Sequence, residues 1–241
     1  MVAGAVLVVM SVGACGDDGR TLRPAGGVPT GSGELVSTTT APEPGVVTTP
    51  DPEADKAAAL AAWEAYKTAI LATDGPAASK VVSEGTFASY QVTLDRALTM
   101  ERAMLEAEDV MDILMVLAVR AQLSLSQIDG LNGRQFFELG VDHGLINETT
   151  VRDISFDGAE ITGDQARLTT SNATQTTRGM PMLREAGGWK VDLGGYTASL
   201  GEQFDRAAAA QGKSRLDFAI EMLGIGPGSE EAERLLKPMK G

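Results

Sequence analysis

The pattern of apolar and polar residues predicts an amphipathic helix that begins at Asp51. Asp51 is a good N-cap, Pro52 suits the first helical position, and Glu53 lies where the helix dipole favours an anion. Residues that recur at intervals of three and four form one apolar face: Leu60, Trp63, Tyr66, Lys67 through its aliphatic stem, Ile70 and Leu71. The turn-forming residues 74–76 end this helix, and a short second helix over 76–82, ended by Gly85, is expected to follow.

The longest periodic stretch covers residues 86–124 and predicts one long helix or two consecutive helices hinged at 106–109, where three of four residues are acidic. One face carries Met100, Met104, Ala107, Met111, Met115 and Ala118, and a second carries Tyr90, Leu94, Leu98 and Leu105. A further helix is predicted over 134–143, with Gly144 as its C-terminal cap.

The pattern then changes to the two-residue alternation of strands. We expect strands over 151–156, 166–171, 180–185 and 189–193, with turns at Asp157-Gly158 and Gly187-Gly188. Together they predict an antiparallel meander in which Trp189, Val191 and Leu193 share one face. Helical patterns over 200–210, 214–223 and 229–239 close the chain. The fold class is therefore α+β, with helices over 53–145, antiparallel strands over 150–196 and helices over 199–239.

The N-terminal segment carries the strongest motif in the chain. An apolar run over residues 2–10 is followed by Val12, Gly13, Ala14 and Cys15. This arrangement resembles a lipobox, the cleavage and lipidation motif of bacterial lipoproteins. The resemblance implies that residues 1–14 are a signal peptide, that cleavage precedes Cys15, and that lipid on Cys15 anchors an exported protein to the outer face of the cell membrane. The run is too short to span a bilayer, which needs about 20 apolar residues.

The cysteine count agrees with that interpretation, because Cys15 is the one cysteine of the chain and an internal disulfide needs two. The alternative is that Cys15 is simply a small apolar residue of the N-terminal segment. The first basic residue is Arg20, whereas a signal peptide opens with positive charge. We therefore expect translation to begin upstream of Met1.

The composition of residues 15–52 predicts a disordered tether. The segment is rich in Gly, Pro, Thr and Ser and lacks hydrophobic periodicity. Such a sequence cannot bury enough apolar surface to offset its ordering entropy. The folded domain is therefore expected to cover residues 53–241 and to stand away from the membrane.

Net charge narrows the class of partner. The formal charge of -13 disfavours nucleic acid, whose phosphates require a clustered Lys and Arg surface. The expected partners are the membrane, through the lipid on Cys15, and either a small apolar ligand or an envelope protein. Acidity also keeps an exported protein soluble, which explains the charge without any ligand.

Few residues offer metal or cofactor chemistry. The methionines of 100–115 suggest copper(I) binding, but their spacing favours a buried packing stripe. Glu101, Glu108 and Asp112 are a conceivable carboxylate metal set, although a solvated helix face is the favoured interpretation. With one histidine and one cysteine there is no ordinary zinc set, and no phosphate-binding loop is recognisable. The sequence therefore predicts no metal and no cofactor.

A wider resemblance rests on Trp63 and Tyr66 in the first helix and on a late Gly-Gly turn followed by Trp189-Lys190-Val191. Over residues 53–82 and 150–196 the chain resembles the nuclear-transport-factor-two-like (SnoaL-like) superfamily. That resemblance implies N-terminal helices packed on a curved antiparallel sheet, a cone-like arrangement with a pocket, here extended by C-terminal helices.

Enzymes of that superfamily use Asp and His side chains inside the cone, which makes Asp142 and His143 weak catalytic candidates. Neighbouring helical residues diverge by about 100°, so the two cannot readily face each other, and a helix C-terminus favours a histidine without catalysis. The main hypothesis is a non-catalytic binding or interaction module. The alternatives are a SnoaL-like enzyme, of isomerase or hydrolase type, that uses His143 as a base on a small apolar substrate, and a structural spacer.

Overall fold

The computed structural model describes residues 51–170 and 179–240. The predicted signal sequence, with Val12, Gly13, Ala14 and Cys15, and nearly all of the predicted tether lie outside these residues. The described part of the chain is a mixture of helices and an antiparallel sheet, which confirms the α+β class. Its helices are α1 (Pro52–Leu71), α2 (Gly75–Ser79), α3 (Glu84–Thr99), α4 (Arg102–Leu105), α5 (Val110–Gln122), α6 (Leu125–Ile128), α7 (Gly133–Asp142), α8 (Leu193–Ala210), α9 (Arg215–Met222) and α10 (Glu230–Leu235).

The start of α1 confirms the predicted cap. The side chain of Asp51 accepts a hydrogen bond from the Glu53 amide at 3.1 Å, and Pro52 opens the helix. The apolar stripe correctly predicts that Trp63, Tyr66 and Ile70 are buried. Leu71 is 47% exposed, so its assignment to the buried face was wrong.

The long periodic stretch is divided between α3, α4 and α5. The predicted hinge at 106–109 is confirmed, since these residues separate α4 from α5, and a second break follows α3 at Met100. Met104, at 59% exposure, lies outside the core and breaks the predicted methionine stripe. Gly85 does not end a helix, because the Ser83 side chain caps the start of α3 by accepting from the Thr86 amide at 3.2 Å.

Four strands form the sheet in the order β1 (Gly158–Thr162), β2 (Gln165–Thr169), β3 (Pro181–Glu185) and β4 (Gly188–Val191), each antiparallel to the next. The predicted meander is confirmed, but its first strand is displaced from 151–156 to 158–162. Val151 is buried beyond a 3-10 turn at Glu148–Thr150 and packs in the core without a strand partner. The first tight turn uses Gly163, at φ 60°, in place of Asp157-Gly158.

The last hairpin turn is placed correctly by the sequence. Gly187 and Gly188 have φ values of 101° and 112°, which residues with a side chain rarely adopt. Trp189 and Val191 are buried as predicted. Leu193 is buried too, but it opens α8 and does not extend the strand, so α8 begins well before the predicted residue 200.

Two hydrophobic clusters make up the interior. The sheet cluster joins α1 to the strands and includes Trp63, Phe137, Leu168 and Trp189. The helical cluster is centred on α5, which packs against α3, α8 and α9. Tyr90 and Tyr196 pack against both clusters and therefore mark the boundary between them.

The junction between strand β4 and helix α3 holds these two parts together. The Ser83 amide donates to the Val191 carbonyl at 2.9 Å, and the Val191 amide donates to Val81 at 2.8 Å. The Thr86 hydroxyl accepts from the Leu193 amide at 3.1 Å, and Ser83 Oγ donates to Asp192 at 3.2 Å. The side chains of Ser83 and Thr86 are buried, so their hydrogen bonds are protected from water.

Asp55 ties α1 to the outer part of the sheet. Its carboxylate pairs with Arg184 and accepts from the indole Nε1 of Trp189 at 2.9 Å, while the Arg184 guanidinium stacks 4.4 Å from the Trp189 ring. The hydrogen bond from Arg184, followed by that from Trp189, lowers the pKa of Asp55.

Arg120 of α5 is buried, with 4% of its surface exposed. Its guanidinium donates to the carbonyls of Ala97 and Arg96 at 3.0 Å each, to Met100 at 2.6 Å, and to Leu235 at 3.0 Å. Three of these carbonyls form the C-terminal end of α3, where the helix dipole favours a cation. One side chain therefore fixes α5, the end of α3 and α10 together.

We expect Arg120→Met to lower the free energy of unfolding by about 3 kcal/mol or more, because it leaves buried carbonyls without donors. Denaturant titration of the purified protein measures this change. Arg206→Met is the matched control, because the Arg206 side chain is 62% exposed and lies 3.8 Å from Glu202. An Arg120→Met variant as stable as the control contradicts the assigned role of the guanidinium.

We expect Asp55→Asn to lower the melting temperature in a pH-dependent way. Because the native pKa of Asp55 lies below its unfolded value of about 3.9, ionised Asp55 stabilises the fold above that pH, and the contribution is lost as the pH falls through the native pKa. Melting curves from pH 7 to pH 2.5 should therefore converge for the wild type and Asp55→Asn. Glu64→Gln, exposed on the same helix, is the control, and a pH-independent difference for Asp55→Asn contradicts the prediction.

Candidate functional site

A cavity of about 580 Å³ lies at the boundary between the two hydrophobic clusters. Its walls come from α1, α3, α5, α7, the segment 145–154, α8 and α9. Most of the lining is apolar and includes Met111, Leu114, Met115, Phe136, Ile146, Ile154, Met180, Leu200, Phe204, Phe218 and Met222. Small-molecule sites in proteins have cavities of about 300–1,000 Å³ with mainly apolar walls, so the size and lining suit a small ligand.

Aromatic side chains form one section of the buried lining. Trp63 is fully buried and Tyr66 is 3% exposed, with their ring centroids 5.6 Å apart. Across the cluster boundary, Tyr90 and Phe136 have centroids 6.0 Å apart. This wall offers large apolar ring faces together with phenolic hydroxyl groups.

The tyrosines of the lining are uncharged donors. Burial raises the pKa of Tyr66 well above its ordinary value, and the neighbouring Tyr90 raises it further. Burial also raises the pKa of Tyr90 and of Tyr196. Phenolate formation is therefore suppressed in the cavity, and the hydroxyls stay available to donate hydrogen bonds to a neutral ligand.

The indole N–H of Trp63 is buried and has no hydrogen-bond acceptor among the described residues. Its ring lies edge-on to Phe156, with centroids 5.1 Å apart and planes at 75°. A buried donor without an acceptor is uncommon in folded proteins. Trp63 contributes to the cavity lining, but its indole nitrogen has no exposed surface of its own.

Three lining residues are exposed to solvent, namely Gln122, Gln211 and Glu221. Glu221 is the one charged residue among the described residues of the lining, and its carboxylate pairs with Lys213. These three side chains are the most exposed part of the lining. The lining contains hydroxyl groups of Thr93, Thr150 and Thr197 but no histidine, lysine or cysteine.

The structure does not bring the weak catalytic candidates to this cavity. His143 is the exposed C-cap of α7, followed by Gly144 at φ 73°, as the sequence predicts. Asp142 Oδ1 accepts from the Gly75 amide at 2.8 Å, which joins α7 to α2. Neither residue is part of the lining.

Two of the three carboxylates considered as metal ligands have other partners. Glu108 binds Arg96 at 2.8 Å, and Asp112 pairs with the same guanidinium, while Glu101 lies before α4. Over residues 51–170 and 179–240, no cluster of three His, Cys, Asp or Glu residues is placed to hold a metal ion.

Sequence reasoning identified part of the cavity wall under a different interpretation. Met111 and Met115 were predicted to be a packing stripe, and both contact the cavity. The roles of Tyr90 and Tyr196 were missed, because nothing in their spacing distinguishes a core residue from one that borders a cavity. The phenol of Tyr90 within an otherwise apolar stripe was the one available signal.

Within the described ranges, no helix is both long and apolar enough to cross a membrane. Comparison of the whole chain with protein-family models, with curated protein sequences and with solved structures found no match of any of the three kinds.

Proposed function

We propose that this protein is a lipid-anchored component of the bacterial cell envelope that binds a small apolar molecule without transforming it. The observation that carries the proposal is the cavity of about 580 Å³ between the two hydrophobic clusters. Its walls are mainly apolar, and a bound apolar molecule would cover surface that is otherwise exposed to water.

The lining supports binding better than catalysis. Ring faces and methionine side chains supply adaptable apolar contact, and the uncharged tyrosines supply a few polar contacts for orientation. Acid–base catalysis needs a group whose pKa lies near the working pH, whereas burial moves the pKa values of Tyr66 and Tyr90 upward, away from neutrality. A retained ligand is therefore the simplest use of this site.

The alternative is a SnoaL-like enzyme that acts on a small apolar substrate with His143 as its base. A general base must come within hydrogen-bond reach of the substrate, directly or through one water. His143 is exposed at the C-cap of α7 and outside the lining, so the geometry favours the binding module.

The proposed location is the outer face of the cell membrane. The protein would reach it by export and would be anchored there by lipid on Cys15. This location is supported by the resemblance of residues 12–15 to a lipobox. Two or more acyl chains give stable attachment, since each buried methylene contributes about 0.8 kcal/mol. The tether over 15–52 would then hold the cavity away from the membrane surface, among the molecules of the envelope.

We further propose that the domain is related to the nuclear-transport-factor-two-like proteins and that its sheet forms part of a cone. Helix α1 packs against β4, β1 and β2, which agrees with a helix held by a curved sheet. The Gly187-Gly188 turn and the buried Trp189 agree with the hairpin of that superfamily.

We expect Ala118→Phe to abolish ligand binding by filling the cavity. Ala118 lies on α5, is half-buried and lines the cavity, whereas Ala121 on the same helix is exposed and outside the lining. The measurement is the fluorescence enhancement of the neutral apolar dye N-phenyl-1-naphthylamine. Saturable binding should be lost in Ala118→Phe and kept in the matched control Ala121→Phe, with melting curves to verify that both fold. Equal binding by both variants, or no binding by the wild type, contradicts a ligand site in this cavity.

We expect Cys15→Ala to abolish membrane attachment. In a bacterial host, the wild type should appear in the membrane fraction with the mass of residues 1–14 lost and diacylglycerol added. The variant should remain soluble and without lipid. Ser11→Ala, adjacent to the motif, is the control and should be processed like the wild type. If the wild type stays soluble and uncut even with a Lys-Arg pair added before residue 2 to complete the signal peptide, the proposed anchor is wrong.

A further inference from the structure

The exposed lining residues share a position in their helices. Gln122 is the last residue of α5, Gln211 is the C-cap of α8, and Glu221 lies in the last turn of α9. The three most exposed residues of the lining therefore all lie at helix carboxyl ends, and we take these ends as the opening of the cavity. This shared position was not apparent from the sequence, because the three helices come together only in the fold.

Helix carboxyl ends carry partial negative charge, equivalent to about half an elementary charge at an isolated terminus. The carboxylate of Glu221 adds to this field, and its pairing with Lys213 neutralises part of it. The other nearby cation, Arg215, pairs with Asp205 and donates to the Glu108 carbonyl, so its charge is compensated. The opening is thus more favourable for a cation or a neutral dipole than for an anion.

The interior imposes a different requirement. Beyond the opening, the walls are neutral, mainly apolar and partly aromatic, with fully buried Trp63 at one end. An ion without a partner is strongly disfavoured in such surroundings, whereas an apolar chain gains about 0.8 kcal/mol for each methylene removed from water. A ligand that satisfies both regions has an apolar tail inside and a polar head at the opening.

We propose that the cavity binds an amphiphile with an apolar tail and a neutral or cationic head, and that it discriminates against carboxylate heads. This inference depends on the proposed function, because it specifies the ligand class of the same cavity. The tail contacts the aromatic and methionine walls. The head stays at the helix carboxyl ends, where hydroxyl or ammonium hydrogens can be donated to carbonyl oxygens, to Gln211 or to Glu221.

Three probes with the same ten-carbon chain separate the contributions of tail and head. Decan-1-ol, decylamine and decanoic acid are each used below their micelle-forming concentrations to displace N-phenyl-1-naphthylamine from the full chain carrying Cys15→Ala, at pH 7 and low salt. Decanoate has one methylene fewer in its tail, which accounts for about fourfold in affinity. We therefore expect decan-1-ol and decylamine to bind at least about twentyfold more tightly than decanoate, with the difference between the two ions reduced at high salt.

Glu221→Gln tests whether the opening sets this preference. The substitution removes a carboxylate and leaves Lys213 without that partner, so the ratio of decylamine affinity to decanoate affinity should fall by about threefold or more. Glu202→Gln on α8 is the matched control, because Glu202 is exposed and outside the lining, and its ratio should equal that of the wild type.

The possible failures are distinguishable. If none of the three probes displaces the dye and decan-1-ol causes no thermal shift, the proposed function fails, and this inference fails with it. If decan-1-ol binds but decanoate binds as tightly as decylamine, the binding module stands and the head-group inference is overturned. An unchanged ratio in Glu221→Gln also overturns it, because the field at the opening would then have no effect on the ligand.

Discussion

The guanidinium of Arg120 lies in the interior with four backbone carbonyls around it, three of them from the C-terminal end of α3 and one from Leu235. Carbonyls at a helix end have no partner within the helix, and when buried they need a donor from elsewhere. Arg120 supplies that donor from α5, and so sets how α5 crosses α3 and where α10 packs. Because α8 and α9 also pack on α5, the helical cluster depends on this contact.

The sheet cluster is organised by different contacts. Asp55 joins α1 to Arg184 and Trp189, and the residues around Ser83 join β4 to the start of α3. The contacts around Ser83 also join the sheet to the helical cluster through α3, and Tyr90 and Tyr196 pack against both clusters. The cavity lies where the two clusters meet.

This arrangement is consistent with the proposed binding function. The wall is assembled from residues that also make up the core, so apolar contact is abundant and ionisable groups are few. Charge enters only where helices end at the surface, and there Glu221 and the helix carboxyl ends have the same sign. Under the proposed function, the interior would supply affinity for the ligand and the opening would supply selectivity.

Local patterns in the sequence determined the α+β class, the capped start of α1, the hinge at 106–109, the end of α7 at Gly144 and the Gly187-Gly188 hairpin. Each of these depends on residues close together in the chain, where caps, turns and periodicity act. Tertiary structure decided the rest. Val151 packs in the core and not in a strand, and Leu193 opens α8, because burial outweighs alternation when a residue has a better packing partner.

The cavity and its opening likewise required the fold. Trp63, Tyr90, Phe136 and Glu221 are distant in sequence, and no spacing rule brings them together. A periodic apolar stripe predicts that a residue faces inward, but it cannot predict whether the interior is filled at that point. That depends on how closely two clusters approach each other, which is a property of the packed molecule and not of any segment of it.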